Sequence, residues 1–243
     1  MKNMIVANFQ SRKNAYSFTL LETYVKAQIE NSLEVGWAAK DIMLLTNFDY
    51  EFMGVEAQQV SFDDTCLTGS KTFAVNELFK KGCLDEELWI HDLDAWQNMW
   101  FDCPRFKDMG ICEHGEHSPI RFGGSSVFYR PAAKNIVAVV SFLLSNKKIR
   151  EEPALHRILS APAYEHRVTV LDYTYNMGCA FFPERYLKSD KPIRVSHFRP
   201  DCPCGMKRHL LGQNELNVKT VNERLERLIR RYFDVYVTLS NEA

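Results

Sequence analysis

Hydrophobic runs alternate with amphipathic stretches through the first part of the chain. The run MIVANF at 4–9 predicts a short buried strand, and apolar positions spaced near 3.6 residues predict a helix that ends at Gly36. The next apolar run, DIMLLTN at 41–47, predicts a strand of the fully buried, parallel type. Strand, helix and strand in this order are typical of an α/β fold.

The same alternation continues in the next part of the chain. Residues 55–62 predict a third strand, and KTFAVNELFKKG at 71–82 predicts a helix with Ser70 as its cap and Gly82 as its stop. Residues 87–90 predict another strand. Together these elements predict an α/β protein with a mixed, mostly parallel central sheet flanked by helices.

The remainder of the chain is less regular. Residues 101–122 mix Cys, Pro, Gly, His and charge, which predicts an irregular loop insertion. The stretch RFGGSSVFYRP predicts a glycine turn that leads into a short strand, and VTVLDYTYNMG predicts a strand that ends at Asp172. Residues 214–243 predict a C-terminal helical tail. Because no repeat or linker is evident, the pattern favours a single domain over residues 1–243.

Composition narrows the class of protein. The chain has 243 residues, of which 46% are hydrophobic, and a formal net charge of -1. It is long enough for one large core and lacks the basic character of a general nucleic-acid binder. No apolar run reaches the roughly 18 residues of a transmembrane helix, and the apolar N-terminal stretch is too short for a signal peptide. We therefore expect a cytoplasmic protein with no nucleic-acid partner and no transmembrane segment.

An Asp-x-Asp pair follows the strand predicted at 87–90. Asp92 and Asp94 are one residue apart in HDLDAW, so both carboxylates can approach one divalent cation. Oxygen ligands of this kind suit Mg²⁺ and Mn²⁺, and ligands of open α/β sheets bind outside the carboxyl ends of strands. The alternative is that one aspartate caps a turn while the other is solvated.

A second polar stretch, RVSHFRPDCPCGMKRH, lies near the C-terminus. The imidazole of His197 could complete a metal site that the two aspartates begin. Lys207 lies in a basic cluster and could contact the charge of a diphosphate. The alternative for this stretch is a surface histidine followed by a solvated basic loop.

Taken together, these motifs resemble the GT-A glycosyltransferases, most closely the glycogenin- and galactosyltransferase-like branch. The resemblance implies that Asp92, Asp94 and His197 bind Mn²⁺ (or Mg²⁺), which holds the diphosphate of a UDP- or GDP-linked sugar, and that Lys207 contacts a phosphate. It also matches residues 123–127 to a glycine-containing strand of that family. The implied activity is metal-assisted transfer of a sugar to a glycan or another hydroxyl acceptor.

Further site residues are expected from their positions. The nucleotide should meet the carboxyl end of the first strand, at Ala7, Asn8 and Phe9, and Lys71 could add a contact to the nucleotide. Asp172, at the end of a predicted strand, is the candidate catalytic carboxylate. In an inverting enzyme it would act as the base, and in a retaining enzyme it would orient acceptor or donor sugar.

Two other functions remain open. Cys103, Cys112, His114 and His117 carry zinc-type ligands, so the chain could be a zinc-stabilised interaction module. A nucleotidyltransferase on a related fold is the nearest enzymatic alternative. Its usual glycine-rich loop after the first strand is replaced here by NFQSRKNA, which contains no glycine.

Overall fold

The structure is a computed structural model that describes residues 1–10, 17–62, 67–116, 118–178 and 182–239. Within these residues the strands are β1 (Lys2–Ala7), β2 (Ile42–Thr46), β3 (Glu51–Phe52), β4 (Val55–Gln59), β5 (Leu88–His91), β6 (Ala95–Gln97), β7 (Met109–Glu113), β8 (Phe122–Tyr129), β9 (Val168–Leu171), β10 (Met177–Gly178) and β11 (Val195–His197). The helices are α1 (Phe18–Val35), α2 (Ser70–Lys81), α3 (Lys134–Lys147), α4 (Glu151–Leu159), α5 (Pro162–Glu165), α6 (Glu184–Lys188), α7 (Pro203–His209) and α8 (Glu223–Leu239).

The main sheet has the strand order β3-β4-β2-β1-β5-β8-β7-β9. Its centre is parallel, since β1 pairs in parallel with both β2 and β5. Strand β8 runs antiparallel between β5 and β7. A smaller sheet has the order β10-β11-β6. The α/β class with a mixed, mostly parallel sheet and flanking helices is therefore confirmed.

Both faces of the central strands are buried, which explains why they appear in the sequence as continuous apolar runs. In β1, Met4 and Val6 belong to a largely aliphatic core, whereas Ile5 and Ala7 belong to a second core that is rich in aromatic side chains. Helices α2, α3 and α4 contribute to the first core and α1 to the second. The carboxyl ends of the strands lie between these layers, where side chains can reach a shared site.

The prediction for residues 101–122 is wrong in part, because β7 lies inside this segment. Strand β7 is stabilised by pairing with β8 on one side and β9 on the other, and its own composition gives little sign of this. A side chain at Gly110 would lie 3.0 Å from Leu171 and 3.1 Å from Phe106. Gly110 therefore allows close packing within the sheet and does not mark a loop.

Two glycine and cap assignments also differ from expectation. Gly123 and Gly124 lie within β8 instead of forming a turn before it. Helix α2 begins at Ser70 itself, with Gly69 as the N-cap residue, so Ser70 is not its cap. The predicted stop at Gly82 is confirmed, since this residue has a φ of 66° and a left-handed conformation that glycine adopts readily.

The C-terminal region is packed into the protein. Helix α8 contacts α1, and its apolar residues Leu225, Leu228, Ile229 and Phe233 are buried together with Trp96. Because part of the core depends on this helix, the described part of the tail predicted at 214–243 is packed against the fold, with its helix beginning at Glu223. Residues 240–243 lie outside the described residues. Among the described helices, none has the length and hydrophobicity that a membrane span requires.

Candidate active site

The two sheets meet at the Asp-x-Asp motif. Asp92 and Asp94 follow the end of β5, and His197 ends β11. His197 is brought to the aspartates because β11 pairs antiparallel with β6, which places His197 opposite Ala95. The backbone N–H of Phe198 then donates to the Asp94 carbonyl oxygen at 2.9 Å. Two segments about a hundred residues apart in the chain thus form one site.

The side chains of this cluster converge. One ligand atom from each of Asp92, Asp94 and His197 lies within 4.8 Å of the other two. His197 Nε2 is 3.3 Å from Asp94 Oδ1. Burial lowers the pKa of His197, but the Asp94 carboxylate outweighs it and the pKa is raised. Burial would raise the pKa of Asp94, but His197 holds it below its usual value. Two carboxylates and one imidazole are a donor set that fits a divalent cation.

Lys71 lies in the first turn of α2 beside this cluster, with 11% of its side chain exposed. Its ammonium group contacts the Asp92 carboxylate, donates to the Gly124 carbonyl oxygen at 2.6 Å and lies 3.4 Å from Glu151 Oε2. Burial would lower the pKa of Lys71, but the two carboxylates outweigh it and raise the pKa. Lys71 therefore places a positive charge directly on the first aspartate of the motif.

Glu151 supports Lys71 from the start of α4. Its Oε1 accepts a hydrogen bond from Thr72 Oγ1 at 2.6 Å, and burial raises the pKa of its carboxyl group, although Lys71 opposes this. Glu151 is also why β8 has a glycine here, since a Cβ at Gly124 would lie 3.1 Å from Glu151 Oε2. No local pattern indicates this role of Glu151, because acidic residues at a helix start are common.

Of the residues predicted at the end of β1, Asn8 contacts the start of α2. Ala7 is buried, Asn8 Nδ2 donates to Ser70 Oγ at 2.9 Å, and the Phe9 backbone is bonded to both ends of the Asn47 amide. Asn8 is thereby adjacent to the turn that carries Lys71. The Phe9 ring also contacts Phe18, at 5.0 Å between ring centroids. Residues 11–16, which follow shortly after in the chain, lie outside the described residues.

Lys207 and Asp172 occupy different surroundings. Lys207 is half-buried on α7, and its ammonium group makes no hydrogen bond or ion pair with any residue that the structure describes. Asp172 follows β9, and its carboxylate accepts hydrogen bonds from the backbone N–H groups of Thr174, at 2.8 Å, and Asp190, at 3.1 Å. Asp172 thus caps a turn, and its carboxylate is held in one orientation.

A histidine–carboxylate pair that was not predicted lies on the opposite side of β8. His114 Nε2 is 3.1 Å from Glu152 Oε1, which also accepts the backbone N–H of Gly124 at 3.3 Å. Burial would raise the pKa of Glu152, but the hydrogen bond with His114 outweighs it and lowers the pKa. Gly124 thus contacts Lys71 through its carbonyl group and Glu152 through its N–H group. The pair and the candidate metal site are therefore neighbours.

The zinc alternative gains no support from the described part of the site. Cys112 is buried and donates its thiol hydrogen to the Asp172 carbonyl oxygen at 3.2 Å, and burial raises the pKa of this thiol to about 12. Within the described residues, Asp92, Asp94 and His197 are the only three His, Cys, Asp or Glu side chains that come together as metal ligands. His117, the fourth residue of the predicted set, lies outside the described residues.

No known protein family and no curated protein sequence matches the chain. Solved glycosyltransferase structures do resemble it. The galactosyltransferase LgtC, solved with donor and acceptor sugar analogs, has a TM-score of 0.54 at 11% identity, over 95% of this chain and 96% of that one. The glycosyltransferase GlyE of Streptococcus pneumoniae has a TM-score of 0.57 at 10% identity, over 99% and 63%.

A third similar structure is a glycosyltransferase involved in glycosylation of the major capsid of PBCV-1. It has a TM-score of 0.53 at 13% identity, over 81% of this chain and 92% of that one. At such identities the likeness concerns the fold. The resemblance noted in the motifs is confirmed at this level, and the chain has the GT-A fold of these glycosyltransferases.

Proposed function

We propose that the protein is a metal-dependent glycosyltransferase that moves a sugar from a nucleotide-diphosphate sugar, UDP- or GDP-linked, to a glycan or another hydroxyl acceptor. The observation that carries the proposal is the convergence of Asp92, Asp94 and His197 within 4.8 Å at the end of β5 in a GT-A fold. Sugar transfer leaves a diphosphate on which negative charge develops, and a cation at this position would offset that charge.

Asp92, Asp94 and His197 would hold Mn²⁺ or Mg²⁺. When bound, this ion supplies Lewis-acid stabilisation of the leaving diphosphate. Lys207 would add a second positive charge. Its ammonium group has no ion-pair partner among the described residues, so it is available to a phosphate.

Ala7, Asn8 and Phe9 would receive the nucleotide. Their position after β1 is where open α/β sheets bind ligands, and Asn8 connects them to the start of α2 through Ser70. Lys71 would orient the Asp92 carboxylate and lie next to the bound donor.

Asp172 would be the catalytic carboxylate. Its hydrogen bonds to backbone N–H groups reduce its freedom, and a carboxylate with two oxygens can accept further bonds beyond these. In an inverting reaction it would take the proton of the acceptor hydroxyl. In a retaining reaction it would orient a sugar hydroxyl.

A thermal-shift screen tests this function. UDP, GDP, CDP and TDP are each added with and without Mn²⁺. One of them should raise the unfolding temperature only when Mn²⁺ is present, because a ligand specific to the folded state adds about 2.7 kcal/mol at a hundredfold excess over its Kd. If no nucleotide stabilises the protein with Mn²⁺ and the purified chain carries stoichiometric zinc, the interaction module replaces the transferase.

A further inference from the structure

Arg185, on α6, is a buried cation without an acidic partner among the residues that the structure describes. Only 2% of its surface is exposed, and no carboxylate of the described residues forms an ion pair with it. A guanidinium group stays protonated in proteins, and burying an unpaired charge is costly. When a protein bears such a free-energy cost near a candidate site, the buried charge of Arg185 is expected to serve the function of that site.

The contacts of Arg185 compensate its charge only in part. One terminal nitrogen donates to the Asn176 carbonyl oxygen, and the guanidinium carbon lies 4.9 Å from the centre of the Tyr173 ring. Arg185 Nε is buried and has no hydrogen-bond partner within the described part of the chain. Burial lowers the pKa of Arg185, which is the expected response to incomplete compensation. The side chain therefore retains hydrogen-bonding capacity that the described residues leave unused.

Gly178 lies next to both Arg185 and His197, a residue of the candidate metal site. Gly178 is paired with His197 across β10 and β11. A Cβ at Gly178 would lie 3.4 Å from Arg185 Nη1 and 3.5 Å from His197 Nδ1. Arg185 Nη1 and His197 Nδ1 are therefore no farther apart than the sum of these two distances. Because residue 178 is a glycine, no Cβ occupies the position next to both nitrogens.

Asn176 connects Arg185 to the glycines of β8. Asn176, whose carbonyl group binds Arg185, directs its Nδ2 to within 3.2 Å of the point that a Cβ at Gly123 would occupy. His114 Nε2 lies 3.5 Å from the same point. Arg185 is thus adjacent to His197 at Gly178, and Asn176 connects it to Gly123 of β8.

We propose that Arg185 forms an anion subsite of this active site and binds an oxyanion of the ligand beside His197. Phosphate and carboxylate share the chemistry that a guanidinium fork recognises, two oxygens in one plane. The inference rests on the proposed function, under which the oxyanion is either a phosphate of the donor or a carboxylate of an acidic sugar.

Two probes distinguish these sources: inorganic pyrophosphate and free glucuronate, each titrated into the full chain by calorimetry. Arg185→Met removes the charge and keeps an apolar stem, Arg185→Lys keeps the charge without the fork, and Arg157→Met, exposed on α4, is the matched control. Binding of one probe should weaken about tenfold or more in Arg185→Met, the usual effect of losing a charged hydrogen bond. The affinity of Arg185→Lys for that probe should lie between those of the wild type and Arg185→Met. Arg157→Met should bind both probes as tightly as the wild type does.

Loss of pyrophosphate binding would assign the subsite to a phosphate, and loss of glucuronate binding would assign it to a sugar carboxylate. Equal affinity of wild type and Arg185→Met for both probes, or no binding of either probe to the wild type, would overturn the proposal. Thermal unfolding without ligand adds an independent readout. Arg185→Met should melt at or above the wild-type temperature, because an unpaired buried charge is removed. A lower melting temperature with unchanged probe binding would assign Arg185 a structural role only.

The nucleotide screen with Mn²⁺ separates this proposal from the transferase. If no nucleotide binds but pyrophosphate binding depends on Arg185, the anion subsite stands and the transferase falls. If a nucleotide binds with Mn²⁺ and Arg185→Met leaves its affinity and that of both probes unchanged, the transferase stands and the subsite falls.

Discussion

The ammonium group of Lys71 and the carboxylate of Asp92 form a direct ion pair. Asp92 is the first aspartate of the proposed metal site, so Lys71 already neutralises one of the charges that a divalent cation would use. Glu151, whose Oε2 lies 3.4 Å from the same ammonium group, completes a partly buried charge cluster. Metal affinity and the position of Lys71 should therefore be linked.

Lys71→Met should bind Mn²⁺ more tightly than the wild type when no nucleotide is present. Removing one positive charge beside a carboxylate is worth on the order of 1 kcal/mol in a partly solvated site, or several-fold in affinity. Titration of Mn²⁺ followed by its electron paramagnetic resonance signal measures this. Lys71→Arg keeps the charge and should behave like the wild type. Weaker Mn²⁺ binding by Lys71→Met would show that Lys71 supports the metal site instead of competing with it.

Asp94→Asn should abolish Mn²⁺-dependent nucleotide binding while the protein stays folded. The substitution removes a ligand charge and keeps the side-chain size, and we expect a loss of at least about a hundredfold, beyond what loss of an outer-shell partner costs. Calorimetric titration of the nucleotide in Mn²⁺ measures the loss, and Asp102→Asn, on an exposed residue, is the control. Normal nucleotide binding by Asp94→Asn would remove Asp94 from the metal site.

Asp172→Asn should lower kcat by roughly a hundredfold to ten-thousandfold, the range of general acid–base catalysis, and leave donor binding intact. Asparagine can still cap the turn that Asp172 begins, so a folding defect is not expected. Steady-state kinetics at saturating donor measure the effect. Glu152→Gln is the comparison, since the Glu152 carboxylate accepts a backbone hydrogen bond from Gly124 of β8. A larger loss in Glu152→Gln than in Asp172→Asn would transfer the catalytic role to Glu152.

His209 should make the protein less stable in mild acid. It is fully buried beside Thr220, and burial, aided by nearby positive charges, lowers its pKa to about 3. Below its unfolded pKa of roughly 6.5 the unfolded chain binds a proton that the folded protein excludes. Stability should therefore fall as the pH drops from that value toward 3, by up to about 1.4 kcal/mol per pH unit.

Urea unfolding of the wild type and of His209→Gln between pH 7.5 and 4.5 measures this dependence. The variant should have the shallower slope below pH 6, by about the contribution of one histidine. Above pH 7 the two free energies of unfolding should differ by a constant. Parallel curves over the whole range would mean that His209 takes up its proton in the folded state as well.

Local pattern was sufficient to predict the elements that form the first half of the sheet. Strands β1, β2 and β5 are buried on both faces, so each appears as a continuous apolar run, and the helix at α2 ends at Gly82 as its spacing predicted. The Asp-x-Asp motif was recognisable for the same reason. Its carboxylates follow an apolar strand, a position that their polarity makes conspicuous.

Tertiary structure decided what local pattern does not encode. Strand β7 is stabilised by its pairing with β8 and β9. The pattern of residues 101–122 has no periodicity that predicts a strand there. Lys71 meets Asp92 and Gly124 across 21 and 53 positions of chain. The sequence by itself determined the individual strands β1, β2 and β5, the end of helix α2 and the identity of the acidic motif. Which charges are paired, and which remain unpaired, depends on burial and on contacts between distant segments, and only the folded chain brings these about.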